Sequence, residues 1–471
     1  MNPLSILIPW RLQLTVLQQE HYEVGRFLKW IFRHFFERKP PQKKKLVWTR
    51  KAMLISLSSI LLVAALFALF ALWLGNWGGI VAGVLLASQP WVAFVIVQGL
   101  LLPLETHRKQ AIIGVAKRKL ASFPNVTVIG IAGSYGKTSV KTILAHLLKD
   151  WKKVLETPLS HNVPLGIAQV IDLELTGKYD FFVVEMGEFY RGDIRELCEM
   201  VQPQAGMITG LNSQHAERLG TIEQAGGTLF ELADFLLPRN KPVYVNGEDG
   251  NIVSFVRSHG LEGKVNPYGS AISTLRAEHI RFTDEGTSFT LQVEGGKQDV
   301  TIPLLGAGQV TNILGALEMA MELGAPFNHL LKRLENLPQV PHRLERKTWD
   351  NGLLLIDDAY NSNVDGFRQA LDVLSKLPRE NKILVTPGII ELGNQTKPIH
   401  RELGKIADEA CSLVILVGKS DRTEALAENI NAGKKRWITD IRELWAILPE
   451  ICPDPKDAVV LLENDLPESA M

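Results

Sequence analysis

The pattern of apolar and polar positions divides the chain into an apolar N-terminal part and a longer part of alternating strands and helices. Two runs, residues 52–74 and 80–104, are almost wholly apolar. Each is long enough to cross a bilayer core of about 30 Å as a helix. The short uncharged segment 75–78 joins them. The pattern therefore predicts a two-helix transmembrane hairpin over residues 47–104.

Basic side chains flank the two apolar runs, at residues 43–45 and 50–51 before the first and at 108–109 and 117–119 after the second. By the positive-inside rule both flanks face the cytoplasm. We therefore expect a protein of the cytoplasmic membrane, with both termini and the catalytic domains cytoplasmic. A cleaved signal peptide fits poorly, because the first apolar run follows a long basic leader. The competing interpretation is a buried core hairpin of a soluble protein.

Residues 10–37 mix aromatic and leucine side chains with basic and polar ones. This mixture predicts an amphipathic cytoplasmic segment over 1–46, lying on the membrane surface. A helix packed on the protein itself is the alternative.

Beyond residue 104, apolar strand-like runs alternate with helical patterns, which indicates doubly wound α/β domains. The runs are 126–132, 181–186, 205–209, 353–357, 383–386, 413–417 and 459–462. A break with two prolines at 337–341 predicts a boundary between a central domain, 105–338, and a Rossmann-like C-terminal domain, 339–471. Polar and apolar residues alternate over 277–303 and predict a β-hairpin insert.

Charge and cysteine content narrow the function classes. The 471 residues include 51 Lys plus Arg and 51 Asp plus Glu, so no overall field favours nucleic acid, and we expect no nucleic-acid partner. Cys198, Cys411 and Cys452 lie far apart, without metal-ligand spacing, which suits a reducing compartment.

The strongest chemical signal is the sequence TVIGIAGSYGKTSVKTILAHLL over residues 127–148. A strand, a glycine-rich loop and a helix in this order are typical of a P-loop, which binds the phosphates of ATP or GTP. Lys137 should reach the terminal phosphates and Thr138 should offer its hydroxyl to Mg²⁺. Ile131 holds the place of the first glycine of the Walker motif. An ordinary glycine-rich turn is the alternative. The candidate nucleotide-binding residues here are Gly133, Ser134, Gly136, Lys137, Thr138 and Ser139.

Five ordered segments resemble the Mur ligase family over roughly residues 126–465. They are GSYGKTSVKT in the loop, VVEMG at 183–187, LNSQHAERLG at 211–220, PHRLE at 341–345 and IDDAYNSN at 356–363. Together with ELG at 391–393, they are most similar to the branch of the family that adds D-alanyl-D-alanine. The resemblance implies a Mur-ligase-type P-loop central domain.

The resemblance also implies an activity: ATP phosphorylates a substrate carboxylate, and an amine then attacks the acyl phosphate to form an amide. The expected partners are a cell-wall peptide precursor, UDP- or lipid-linked, and an amino acid or dipeptide amine. The resemblance assigns Glu185 and His215 to Mg²⁺, Asn312 to adenine, Arg343 to the phosphates and Asp358 to the ribose. Lys137, His215 and Arg343 are then the candidate catalytic residues.

Each of these residues also has a plainer interpretation. Glu185 and Asp358 could be strand-end carboxylates, His215 a loop histidine bonded to backbone, Asn312 a helix-surface amide and Arg343 a solvated hinge cation. Asn361 and Asn363 are as well explained by an Asx turn.

Several departures from the family pattern are visible. The family's lysine carbamate, which binds a second Mg²⁺, has no counterpart because residues 220–236 contain no lysine. Either Glu231 or Glu223 substitutes, or that second site is weak. Gly308 and Gln309 replace the family's HN, and residues 461–469 replace a basic segment. We also expect that the family's N-terminal UDP-sugar domain is missing and that the membrane hairpin stands in its place.

Two other functions remain open at this point. A poly-γ-glutamate-type synthetase also combines a Mur-like ATPase with an N-terminal apolar stretch, although the DDAYNSN segment argues against it. A non-catalytic nucleotide-binding scaffold for wall synthesis would explain the missing lysine.

Overall fold

A computed structural model describes residues 10–20, 22–34, 46–158, 161–212, 221–269, 273–293, 296–359, 363–390 and 392–464. The chain forms two compact units, residues 1–112 and residues 113–471.

The N-terminal unit is helical. Its helices are α1 (Trp10–Gln19), α2 (Val24–His34), α3 (Arg50–Ser88) and the first part of α4 (Pro90–Ala121). Leu14 and Leu17 of α1 and Phe27 of α2 are buried in one cluster with Ile55 and Phe94 of the two long helices. The apolar faces of α1 and α2 therefore pack on the protein, as the alternative to a membrane-surface helix predicts.

The predicted hairpin differs from the structure in two respects. Helix α3 continues through the glycine-containing segment 75–78 and ends only at Ser88, so the predicted turn there is wrong. The predicted second span, 80–104, is correspondingly divided between the end of α3 and the start of α4. The break falls before Pro90, because proline lacks an N–H and disfavours helical conformation in the residue before it. Among the described residues, one stretch, Arg50–Trp73, has the length and apolar composition of a membrane span.

The first sheet of the second unit has six parallel strands in the order β2-β3-β1-β4-β5-β6. They are β1 (Thr127–Ala132), β2 (Val154–Glu156), β3 (Phe181–Glu185), β4 (Ala205–Ile208), β5 (Val243–Asn246) and β6 (Asn266–Tyr268). Neighbouring residues of β1, such as Val128 and Ile129, belong to different buried clusters. Both faces of the sheet are therefore covered, which explains why its strands are continuous apolar runs.

Eight helices among the described residues accompany this sheet. They are α5 (Lys137–Leu148), α6 (Pro164–Leu173), α7 (Asp193–Val201), α8 (Ile222–Leu229), α9 (Glu231–Leu236), α10 (Gly250–Ser258), α11 (Ala307–Glu322) and α12 (Phe327–Leu334). Strand β1 lies inside the sheet between β3 and β4. The carboxyl ends of these three parallel strands therefore meet at one edge, where doubly wound sheets bind ligands.

The predicted hairpin insert is a three-stranded antiparallel sheet of β7 (Arg276–Thr283), β8 (Gly286–Val293) and β9 (Gly296–Ile302). The turn between β7 and β8 contacts the C-terminal part of the chain. Asp284 accepts a hydrogen bond of 2.8 Å from Nη2 of Arg379, and Phe282 is buried in the C-terminal core. The insert thus ties the two larger sheets together.

The C-terminal sheet has the order β10-β11-β15-β12-β13-β14, with β10 antiparallel to β11 and the other pairs parallel. Its strands are β10 (Glu345–Thr348), β11 (Leu354–Asp358), β12 (Asn381–Thr386), β13 (Leu413–Val417), β14 (Lys435–Ile438) and β15 (Ala458–Glu463). Its helices are α13 (Val364–Lys376), α14 (Thr396–Ala410), α15 (Asp421–Ala427) and α16 (Arg442–Ile451). This arrangement confirms the predicted α/β class, with one mixed sheet.

Candidate active site

The predicted phosphate loop connects β1 to α5 at the carboxyl edge of the first sheet. Gly136, the residue before α5, has φ +80°, a left-handed conformation that glycine adopts without strain. A Cβ at Gly133 would clash with the hydroxyl of Thr209, so this position also requires glycine. The amide of Ser134 is held by the carbonyl of Gly210 at 2.8 Å. The start of α5 is thus presented with its positive dipole end toward the loop.

Tyr135 fixes the loop to the neighbouring strand ends. Its hydroxyl donates to Oδ2 of Asp249 at 2.6 Å, and the same oxygen accepts from the amide of Leu211 at 2.8 Å. Burial, followed by the charge of Asp249, raises the pKa of Tyr135 well above its ordinary value. The hydroxyl therefore stays protonated and remains a donor. Thr209 adds a hydrogen bond to the carbonyl of Tyr135.

Lys137 is the first residue of α5, and its ammonium group contacts the loop and a neighbouring carboxylate. Its Nζ donates to the carbonyl of Gly133 and lies 3.0 Å and 3.3 Å from the two carboxylate oxygens of Glu188. The Glu188 side chain is almost fully buried. Burial raises the pKa of Glu188 above its ordinary value, and the nearby Lys137 opposes that rise.

Thr138 and Glu185, which the sequence predicts as ligands of Mg²⁺, contact each other. The Thr138 hydroxyl donates to Oε2 of Glu185 at 3.0 Å, and Lys141 lies 3.2 Å from the same oxygen. The other oxygen of Glu185 accepts from Nδ2 of Asn162 at 3.1 Å. A hydroxyl and a buried carboxylate are hard oxygen ligands that fit Mg²⁺ beside a bound phosphate. Lys141, which is 2% exposed, already supplies positive charge to Glu185.

Asn312, predicted at the adenine, lies on α11 beside the loop. A Cβ at Gly136 would come within 3.2 Å of its Oδ1. Gln309, which replaces the family's asparagine, accepts from Asn312 at 3.4 Å and donates to the Ser139 hydroxyl at 3.5 Å. The departure at Gln309 thus contributes an amide that links α11 to α5.

Arg343 and Asp358 lie together in the C-terminal part. The two residues that flank Arg343 are both left-handed, His342 with φ +56° and Leu344 with φ +49°. The amide of Leu344 donates to Oδ1 of Asp358 at 3.1 Å. Burial raises the pKa of the Asp358 carboxyl to about 6, while the charge of Arg343 acts against that rise.

His342 belongs to a charged cluster behind Arg343. Its Nδ1 lies 2.9 Å from Oδ2 of the fully buried Asp357, and its amide donates to Glu345. Lys347 places its ammonium 2.9 Å from Asp357 and 3.1 Å from Glu345. The ammonium of Lys347 compensates the negative charge of both carboxylates. The cluster therefore stabilises the turn that carries Arg343.

The candidate site residues therefore form two groups. The first group consists of the loop and the start of α5 with their neighbours: Gly133, Ser134, Gly136, Lys137, Thr138, Ser139, Glu185 and Asn312. The second group, Arg343 and Asp358, lies at the C-terminal sheet. The charge of Asp365 on α13 also helps to raise the pKa of Tyr135, so this part of the C-terminal domain lies near the loop. His215 lies outside the described residues, as does Asn361.

Glu231 does not replace the missing lysine. Its two oxygens accept from the amides of Gly192 at 2.8 Å and Arg195 at 2.9 Å, so it caps the start of α7. Glu223 is exposed and pairs with His259 at 3.2 Å. Of the three alternatives for the missing lysine, Glu231, Glu223 or a weak second site, the structure disfavours Glu231, because both of its oxygens already hold the start of α7. Asn363 accepts from the amide of Gly366 and caps α13, a structural role related to the Asx turn that its alternative interpretation predicts.

Sequence reasoning overlooked Glu188, Lys141 and Asn162. Glu188 lies three residues after Glu185, the last residue of β3, and Lys141 follows Lys137 by four residues, on one face of α5. Both spacings could have suggested these positions. The burial of their charges could not be deduced, because it depends on how β3 and α5 pack.

Comparison with known proteins identifies the family. Residues 131–320 match the model of the Mur ligase middle domain, and residues 342–462 match that of the Mur ligase glutamate ligase domain. The UDP-N-acetylmuramoyl-tripeptide–D-alanyl-D-alanine ligase of Escherichia coli (strain K12) is 31% identical over 328 residues, which are 68% of this chain and 71% of the relative. The enzyme of the same name from Haemophilus influenzae is 29% identical over 358 residues, 73% of this chain and 72% of the relative.

Solved structures share the fold. MurF from Acinetobacter baumannii superposes with a TM-score of 0.67 at 23% identity, covering 76% of this chain and 77% of that one. MurF ligase from Thermotoga maritima in complex with ADP has a TM-score of 0.65 at 24% identity, covering 77% and 81%. The motifs, the matched domains and the relatives agree: the chain belongs to the Mur ligase family of ATP-dependent carboxylate–amine ligases.

Proposed function

We propose that this protein joins an amine to the carboxylate of a cell-wall peptide precursor, as its relatives' names describe for a UDP-muramoyl tripeptide and D-alanyl-D-alanine. The observation that carries the proposal is the glycine-rich loop after β1, where Gly136 with φ +80° precedes the N-terminus of α5 and the Lys137 ammonium lies against the Gly133 carbonyl. The carrier of the precursor is UDP or a lipid.

The residues of the loop suit phosphoryl transfer to a carboxylate. Backbone amides at Gly136 and Lys137 would hold the phosphates, and the Lys137 ammonium would offset the charge that gathers on the transferred group. The amine would then attack the acyl phosphate, form the amide and release inorganic phosphate. Mg²⁺ held by Thr138 and Glu185 would screen the phosphate charge. Arg343 would offer its planar guanidinium to phosphate oxygens and Asp358 its carboxylate to the ribose hydroxyls.

Transfer of a carboxylate oxygen to phosphate tests the reaction. With a precursor whose acceptor carboxylate carries ¹⁸O, released phosphate should contain the label, and its release should require both precursor and amine. Lys137→Ala should lower kcat/KM for ATP by about 100-fold, because a charge that stabilises the transition state is lost. Lys149→Ala is the matched control, since Lys149 is a half-exposed lysine at the end of the same helix.

Unlabelled phosphate would refute the acyl-phosphate route. Nucleotide binding without phosphate release from any pair of substrates would favour the scaffold instead.

We also propose that helices α3 and α4 anchor the enzyme to the cytoplasmic membrane, with the ligase domains on the cytoplasmic side. Only 17% of the apolar 18-residue window within Arg50–Trp73 is buried within the protein, and Leu72 is 89% exposed. Such a continuous apolar surface is costly in water. Lys51 at the start of α3 pairs at 2.9 Å with Glu105, which follows the apolar part of α4. This pair supports an arrangement in which the charged residues that flank both apolar stretches lie on one side. Anchoring would concentrate the enzyme near a lipid-linked precursor.

A further inference from the structure

Glu188 is a buried carboxylate that touches the phosphate-binding lysine. It lies three residues after Glu185, the last residue of β3, and its side chain is 1% exposed. Its two oxygens lie 3.0 Å and 3.3 Å from Nζ of Lys137, whose side chain is 12% exposed. An ion pair with so little solvent around it is screened far less than a surface pair.

The contacts of Lys137 use its full donor capacity. An ammonium group has three N–H donors, and here one points to the carbonyl of Gly133 and the others to the oxygens of Glu188. A phosphate oxygen that binds Nζ must take the place of one of these acceptors. The phosphate would also bring negative charge close to a buried carboxylate.

The neighbouring lysine does not relieve this conflict. Lys141 lies 3.2 Å from Oε2 of Glu185, an oxygen that also accepts from Thr138. The site thus contains two adjacent Lys–Glu pairs, and each lysine is matched by its own carboxylate.

We propose that Glu188 is a positioning residue that competes with nucleotide phosphate for the Lys137 ammonium and thereby weakens nucleotide binding. The inference rests on the proposed function, because it requires that nucleotide binds at this loop. It predicts that loss of the Glu188 charge strengthens binding, which is the opposite of what loss of a substrate contact or of a metal ligand would do. A competing carboxylate would also favour release of ADP after each turnover.

Calorimetric titration of the full-length protein with ADP tests the proposal. In EDTA, Glu188→Gln should lower the Kd for ADP roughly tenfold, because a buried negative charge no longer opposes the phosphates. Glu188→Met, a second neutral variant, should act in the same direction, and Glu188→Asp should stay nearer the wild-type value. Glu199→Gln is the matched control, since Glu199 is an exposed glutamate on α7.

Different results of this titration would contradict the role of Glu188 and the proposed nucleotide binding. An unchanged or higher Kd in both neutral variants that melt as cooperatively as wild type would overturn the competition. If Glu188 instead binds metal, its neutral variants would leave the Kd in EDTA unchanged and weaken only the titration with Mg²⁺, which also overturns the inference. Failure of the wild-type protein to bind ADP would refute the nucleotide step of the proposed function itself.

Discussion

Single carboxylates in this protein differ sharply in their surroundings, and Asp358 shows what burial does to one. Its ordinary pKa of 3.8 is raised to about 6 by burial. Between these two values the folded protein holds a proton that the unfolded chain has already released. Stability is therefore lost as the pH rises through this window, and the loss is complete above a pH of about 6.

Replacement of Asp358 by asparagine should remove this pH dependence while keeping an oxygen for the amide of Leu344. We expect the melting temperature of Asp358→Asn, relative to wild type, to rise between pH 4.5 and pH 7. Thermal melts at several pH values measure this difference. Asp350→Asn serves as the control, because Asp350 is an exposed aspartate in the same part of the chain. A difference that stays constant with pH would contradict the raised pKa.

Motif spacing predicted which residues meet at the loop, but it did not predict the charged partners of those residues. Lys137, Thr138 and Glu185 meet as the P-loop pattern and the strand-end carboxylate predicted. The partners of these residues, Glu188 and Lys141, were not predicted. Their positions in the sequence carry no signal of burial, which arises from the packing of β3 against α5.

The turn that carries Arg343 shows how an element can be held in an unfavourable conformation. A left-handed conformation costs a residue with a side chain about 1 kcal/mol or more, and two such residues flank Arg343. Two consecutive aspartates at the end of β11 offset this cost. Asp357 contacts the ring of His342, and Asp358 accepts from the amide of Leu344.

Loss of one of these ties should displace Arg343 without touching the nucleotide loop. We expect His342→Ala to lower kcat/KM for ATP about tenfold, because a small displacement of Arg343, the proposed phosphate contact, is enough for such a loss. Steady-state kinetics measures the effect, and ADP affinity in EDTA reports whether the loop itself is intact. His259→Ala is the control, since His259 is a half-exposed histidine paired with Glu223. Unchanged kinetics would separate the turn from catalysis.

The sequence predicted this turn only as a break with two prolines. Neither the left-handed residues nor their aspartate partners follow from local pattern, because residues other than glycine rarely adopt positive φ. The contact of Asp284 with Arg379 could not be predicted from the sequence either, because the two residues are 95 positions apart.

For the molecule as a whole, the alternation of apolar runs predicted the α/β class and seven of the strands. Short edge strands such as β2, β6 and β14 escaped prediction, since three or four residues carry too little pattern. The predicted turn at 75–78 failed for a related reason. Glycines suggest a turn in water, yet they are compatible with helix in an apolar segment, and Pro90 is the stronger helix terminator.

The exposed apolar surface of α3 predicts that the protein binds lipid membranes. We expect the full-length protein to float with lipid vesicles and to stay with them at alkaline pH. Lysines in place of Leu57, Leu61 and Leu69 should release it, because each charge inside the bilayer costs about 3 kcal/mol. All three leucines are at least 60% exposed, so these changes do not enter the protein's own core.

Matched isoleucine replacements at the same three positions distinguish membrane insertion from damage to the fold. They keep the apolar surface and should leave flotation unchanged, whereas the lysine variant should be found in the soluble fraction with its ADP affinity intact. Loss of flotation with unchanged ADP affinity is expected only if α3 contacts lipid, because the nucleotide loop belongs to the other compact unit. A lysine variant that still floats would mean that lipid is bound elsewhere. A wild-type protein that stays in solution without aggregation would mean that another protein surface covers these leucines.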